Sequence, residues 1–288
     1  MMQARRNRTQ EVERLYSTQT LPIHIVAQAL NVDDFVALAG LANSQNVLIR
    51  CCDGFQAERD DAHNALQHTP RLVVDITAIG SLILLDRFDV LDIVPLTLVA
   101  SSGTVAVLEQ MLREQESSRA SSIGSLVDVD GKPQFRETTE DEKRQQLEAL
   151  KRLIETVKRR CDILNCKELV YLAPEKRKEL VELFGQHGAE SIVLASASGS
   201  ALWTDDLTVA SYAKAFATIP RVWTQVILGY LYGLSRLDGD AYHTAMAKLA
   251  GWGYFFTSID ASAVIAAGRI ADWNPDKWPL KGCLAYLN

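Results

Sequence analysis

The segment RLVVDIT, residues 71–77, constrains the fold of this chain more than any other. Leu72, Val73, Val74 and Ile76 form an apolar, β-branched run, and such a run reads as a strand buried on both faces, the kind found in parallel sheets. TAIGSLILLDRF then suits a helix beginning after Asp75. DIVPLTLVA reads as a second strand and TVAVLEQMLREQES as a second helix. Strand, helix, strand, helix predicts an α/β fold, a parallel central sheet flanked by helices.

The remaining segments are arranged around this unit. A polar, basic start, frayed or helical, leads into LPIHIVAQALNVDDFVALAGLAN, where Asn31 and the acids Asp33 and Asp34 divide two short helices. A further helix is expected over Glu58–Gln67, which makes residues 1–68 a helical N-terminal region. The α/β domain spans 69–270 and is interrupted by an insert at about 117–142. That insert is rich in Ser, Gly and charge, reads as flexible, and contains VDVDGKPQF, a hairpin candidate. QLEALKRLIETVKRR is strongly helical, and LVYLAPEKRKELVELFG gives a strand-like or turn piece and a helix. Helical spacing resumes over Glu190–Ala197, and Ala201–Thr204 is a short buried strand. Two helices and a final strand, GYFFTS, close the domain, and residues 271–288 are a Pro- and Trp-rich tail, expected as an irregular strap.

Composition narrows the classes further. In the 288-residue chain, 48% of residues are hydrophobic and 23% charged, enough apolar content to bury a core. The net charge of −6 argues against non-specific duplex binding, and no basic recognition helix accompanies the N-terminal helices. Cys51, Cys52, Cys161, Cys166 and Cys283 contain no CxxC pair, so buried free thiols are expected rather than disulfides or a zinc site. The charged start has no apolar leader and no apolar run is long enough to span a bilayer, so the expectation is a cytoplasmic protein without membrane contact.

Acids stand out at three places. Asp75 follows an apolar strand directly, with Thr77 two residues on; it reads either as a metal ligand or as the next helix's N-cap. Glu109 lies at the edge of the apolar face made by Val105, Leu108 and Leu112, where a solvated glutamate is the ordinary reading. Asp205 and Asp206 follow a strand, with Thr204 before them and Glu190 upstream. They offer oxygen ligands to Mg²⁺ or Mn²⁺, or a cap at a helix start.

The order VVDIT, a helix carrying Glu109, a helix with an acid, then WTDD resembles the PIN domain, and most closely the bacterial PIN-like domains attached to larger proteins. The likeness covers roughly residues 71–266. It implies a flap-nuclease-like sheet with acids converging at strand ends. Asp75, Glu109, Glu190 and Asp206 would then be catalytic and hold Mg²⁺ or Mn²⁺, with Asp205 a further ligand. The third acid of the family is usually Asp, and here it is Glu190. The resemblance implies metal-dependent endoribonuclease activity, a hydrolase reaction on RNA phosphodiesters. Thr77 and Thr204 would orient ligands, and Lys151, Arg152, Lys158 and Arg159 would supply cations for RNA phosphates unless that stretch is simply a solvated helix. Control would come from a regulatory protein partner or a fused module, and the partner expected besides RNA is that regulatory protein or a second copy of the chain in a homo-oligomer. The competing reading is a catalytically inactive PIN-like scaffold or effector-interaction module.

Overall fold

The computed structural model describes residues 2–44, 47–117, 124–129, 132–137, 139–255 and 257–287. Four helices come first: α1 (Met2–Thr18), α2 (Ile23–Leu30), α3 (Asp34–Asn43) and α4 (Gln56–His68). Asn31 ends α2 in the left-handed conformation, and the Asp33 side chain caps α3 by accepting from the Val36 amide. The break between the two helices is where the polar residues of that apolar segment lie.

Then come β1 (Arg71–Val74), α5 (Ile76–Leu85), α6 (Val90–Ile93), β2 (Thr97–Ser101) and α7 (Ser102–Ser117). A hairpin of β3 (Gly124–Val129) and β4 (Lys132–Glu137) follows, paired in antiparallel register. The Asp130–Gly131 turn of the expected hairpin, and residues 118–123 and 138 of the insert, lie outside the described residues. α8 (Glu140–Arg160) runs straight into β5 (Cys161–Leu164), then α9 (Glu168–Tyr171), α10 (Pro174–Ala195), β6 (Ser200–Trp203), α11 (Leu207–Ala217) and β7 (Arg221–Val222). The chain ends in α12 (Thr224–Gly233), α13 (Gly239–Gly251), α14 (Ala261–Ile270) and α15 (Leu280–Leu287).

Five strands form one sheet in the order β5-β2-β1-β6-β7, every pairing parallel. The apolar run of β1 occupies the centre, as its burial on both faces requires. Leu72 and Val74 face one core, with Leu98, Ala100, Ala201 and Trp203 from the neighbouring strands. Val73, Val99 and Leu202 face the other, against Leu180, Phe184 and Ile192 of α10. The first core also takes in Val12, Tyr16, Ile23, Leu38 and Leu41, so the N-terminal helices are continuous with the sheet's packing.

Three sequence expectations change here. GYFFTS is not a strand; its structure among the described residues is an isolated bridge from Tyr254 to Ile49. Tyr254, one of the aromatics that suggested a strand, is instead fully buried in the core. The tail ends not as an irregular strap but in a helix, α15, whose Leu280 and Cys283 pack on Ala247 and Ala250 of α13. The strand-like or turn piece at LVYL is the short helix α9, and the sheet gains two strands that were not expected, CDIL and RV. Both are edge strands, too short and too polar to carry an alternation signal.

Candidate functional site

Every strand of the sheet points the same way, so the residues just after β1, β2 and β6 share one edge. Asp75 follows β1. Its Oδ2 accepts from the Thr77 amide (3.2 Å), the Thr77 hydroxyl (2.7 Å) and the Thr204 hydroxyl (3.1 Å). The expected cap is therefore present, yet it uses only one oxygen. Asp75 Oδ1 is buried without a hydrogen-bond partner. The Thr77 and Thr204 hydroxyls also receive the amides of Asp205 (3.0 Å) and Asp206 (3.2 Å), tying the ends of β1 and β6 together.

Asp206 caps α11, accepting from the Thr208 and Val209 amides at Oδ1 and from the Ile23 amide at Oδ2 (2.6 Å). Asp205 has both oxygens committed to Thr224, one to its amide and one to its hydroxyl. Burial pushes the Asp205 carboxyl up to about 6 and Asp206 to about 7, with the charge of Asp75 adding to both. Hydrogen bonds to the Asp205 and Asp206 carboxyls oppose that rise.

Glu190 reaches the same edge from α10. Its Oε2 accepts from the Gly103 amide at the start of α7 (2.9 Å), and Oε1 from Gln186 (2.7 Å). A Cβ at position 103 would lie 2.7 Å from that oxygen, so the close approach requires glycine there.

Glu109 does not join this group. α7 starts at the acid edge, and Glu109 lies seven residues on, about 10 Å along the helix axis. Its half-exposed carboxylate is held by Lys158 (2.5 Å), which lowers its pKa. The cations of α8 are elsewhere too. Arg159 pairs with Asp92 (2.7 Å) and Arg160 with the Leu91 carbonyl, both on the segment that enters β2. The basic end of α8 thus sits at the opposite edge of the sheet from the acids. Lys151 pairs with Glu116, and Arg152 is exposed.

Asp75, Glu190, Asp205 and Asp206 are 1%, 8%, 0% and 3% exposed. The roof over them is the N-terminal region. α2 presents the Ile23 amide to Asp206, and the Arg50 carbonyl accepts from the Leu207 amide (2.9 Å). Asp34 of α3 reaches α10, where His187 Nε2 lies 2.8 Å from its Oδ2, while His24 Nδ1 of α2 lies 2.9 Å from its Oδ1. Burial would raise the Asp34 pKa, but the hydrogen bonds from His187 and His24 outweigh it and lower it to about 2. Burial likewise disfavours a charged His187, yet Asp34, with Asp75 and Glu190, raises its pKa above the ordinary histidine value.

The His24–Asp34–His187 group was not visible in the sequence. Its members lie on three helices far apart in the chain, and Asp34 reads locally as a helix-start acid. No spacing links them.

The strand-end donor set is all oxygen and buried, although among the described residues the donor atoms that gather within 4.8 Å of one another are those of His24, Asp34 and His187 rather than of these acids. With the unpartnered Asp75 Oδ1, the strand-end set matches a hard divalent cation in donor type. Among the described residues no single helix is long and apolar enough to cross a membrane. One family model matches, over residues 73–215: the PIN domain associated with the TPR-GreAB-C-PIN system. No curated protein and no solved structure matches the chain.

Proposed function

With residues 73–215 forming a PIN domain, we propose that this chain is a divalent-metal-dependent endoribonuclease whose site is the acid group at the ends of β1 and β6. The observation that carries this reading is the buried, unpartnered Oδ1 of Asp75. Leaving a carboxylate oxygen dry and unpaired costs several kcal/mol, and a cation removes that cost.

Asp75, Glu190 and Asp206 would hold Mg²⁺ or Mn²⁺. When bound, the cation supplies a water of lowered pKa and neutralises charge building on the scissile phosphate. The protein's own residues do the rest. Thr77 and Thr204 fix Asp75 through Oδ2, leaving Oδ1 as the donor. Gly103 and Gln186 fix Glu190. Asp205 adds negative charge and anchors the start of α12 through Thr224. Glu109 and the α8 cations have no part in this proposal.

RNA reaches these acids only if α2 and α3 move, because the Ile23 amide and the Asp34 bridge close the edge. Displacement of this roof is the regulated step in the proposal. The family's association with a TPR-GreAB-C-PIN system supplies the class of partner that would drive it.

The same closure favours a second reading, a PIN module that engages partners without cleaving. Mn²⁺ calorimetry on the wild type and on Asp75→Asn with Asp206→Asn separates the two. Asparagine can cap a helix as aspartate does, so the folds are expected to persist. Wild-type binding that disappears in the double variant, followed by Mn²⁺-dependent RNA cleavage lost in Asp75→Asn, supports the nuclease. A folded wild type without Mn²⁺ binding, or with binding and no cleavage of any RNA, supports the second reading.

A further inference from the structure

We propose that His24, Asp34 and His187 form a second metal site, separate from the strand-end acids, that takes a borderline transition-metal cation of the Zn²⁺ class. Three side chains from three helices converge there, with Nδ1 of His24, a carboxylate oxygen of Asp34 and Nε2 of His187 all within 4.8 Å of one another. Around a tetrahedral Zn²⁺ with bonds near 2.0–2.1 Å, donors stand about 3.3 Å apart, so Asp34 Oδ2, which lies 2.8 Å from His187 Nε2 and 3.2 Å from His24 Nδ1, needs only small shifts. Two imidazoles and one carboxylate leave a fourth position for water. This nitrogen-rich set suits Zn²⁺ or Co²⁺ and disfavours Mg²⁺, which demands oxygen donors in octahedral geometry.

The surroundings are built for the cluster. The Asp34 and His187 side chains are each 7% exposed, whereas His24 is 19% exposed and leaves one open side. α10 breaks at Gly185, which adopts φ +70°. A Cβ there would lie 2.7 Å from His187 Cε1 and 2.8 Å from His24 Cε1. Only glycine lets both rings close on the same carboxylate.

Gln28 stands behind His24, its side-chain amide 2.9 Å from Nε2. A glutamine amide offers both a donor and an acceptor. Turned over, it accepts from Nε2–H, which fixes the tautomer that frees Nδ1 for a metal. An ion at this place would join α2, α3 and α10, so it would also pin the helices that roof the acids.

The full chain, stripped with a chelator, would be dialysed against Zn²⁺, Co²⁺ or Mg²⁺ and its bound metal measured, alongside circular dichroism. The expected result is a single equivalent of Zn²⁺, not displaced by Mg²⁺ and retained in Asp75→Asn. Loss of an outer partner of a metal ligand weakens binding about 10–100-fold, so loss of a ligand in His24→Gln or His187→Gln should weaken it at least roughly tenfold. His24 is the more exposed of the two, and its variant is expected to stay folded. Independently of any substitution, Co²⁺ should give visible bands of a nitrogen and oxygen site. A folded wild type that takes up no Zn²⁺ overturns the proposal. So does uptake unchanged in both histidine variants, uptake abolished by Asp75→Asn, or a Co²⁺ spectrum dominated by thiolate charge transfer.

Discussion

Asp75 is both a helix cap and an incomplete one, and its two oxygens carry different work. Oδ2 is saturated by Thr77 and Thr204, whereas Oδ1 is buried and bare. Burial acts on Asp205 and Asp206 too, with the charge of Asp75 a smaller addition. Their folded-state pKa values, about 6 and about 7, stand above the ordinary aspartate value of 3.8. The folded chain therefore holds protons that the unfolded chain has released, and stability falls as pH rises. The sign is that of raised carboxylates: their contribution is fully present below about pH 4 and is lost as pH climbs through 6 to 7. Chelator-treated protein should therefore lose stability to urea between about pH 4 and 7, and saturating Mn²⁺ should flatten that slope. A chelated protein whose urea midpoint rises across this window would count against ionisation of these two acids as the cause.

At the scale of elements, α10 does two jobs because it is broken. Its first half packs Leu180 and Phe184 under the sheet, and its second half aims His187 and Glu190 at the acid edge. Gly185, at φ +70°, is the joint. Replacing it with alanine imposes a left-handed non-glycine residue, costing about 1–3 kcal/mol, and pushes a methyl into both histidine rings. Gly185→Ala is expected to lower stability by at least that amount in urea unfolding and to loosen α2 and α3. Gly233→Ala, where an added Cβ meets nothing within 4 Å, serves as the comparison and should cost far less.

For the whole molecule, the N-terminal helices are both core and cover. Ile23, Val26, Leu38 and Leu41 share the apolar cluster with β1 and β6, while the Ile23 amide and Asp34 close the acid edge. If RNA is the substrate, as proposed, this cover must move to admit it, and the movement is expected to show in amide exchange. With Mn²⁺ and a non-cleavable RNA bound, amides over residues 21–44 should exchange faster while those of β1, β2 and β6 stay protected. Exchange in 21–44 that stays unchanged in a demonstrated RNA complex would mean that the roof is not the gate.

How much of this was legible in the chain follows from range. The apolar run of β1, the helical period of α7 and α8, and the Asn31–Asp33 break are local patterns, and the sequence by itself determined them. So did the order of acids that led to the PIN resemblance, including Asp75 and Asp206 at helix starts. The edge strands CDIL and RV were not legible, because at four and two residues their strand state comes from pairing with neighbours. Only the tertiary structure set Glu109 against Lys158 and away from the acids, since a solvated glutamate and a ligand look alike on one helix face. It alone brought His24, Asp34 and His187 together, because a buried charged group is satisfied by whichever distant element packs beside it, and no local spacing records which element that is.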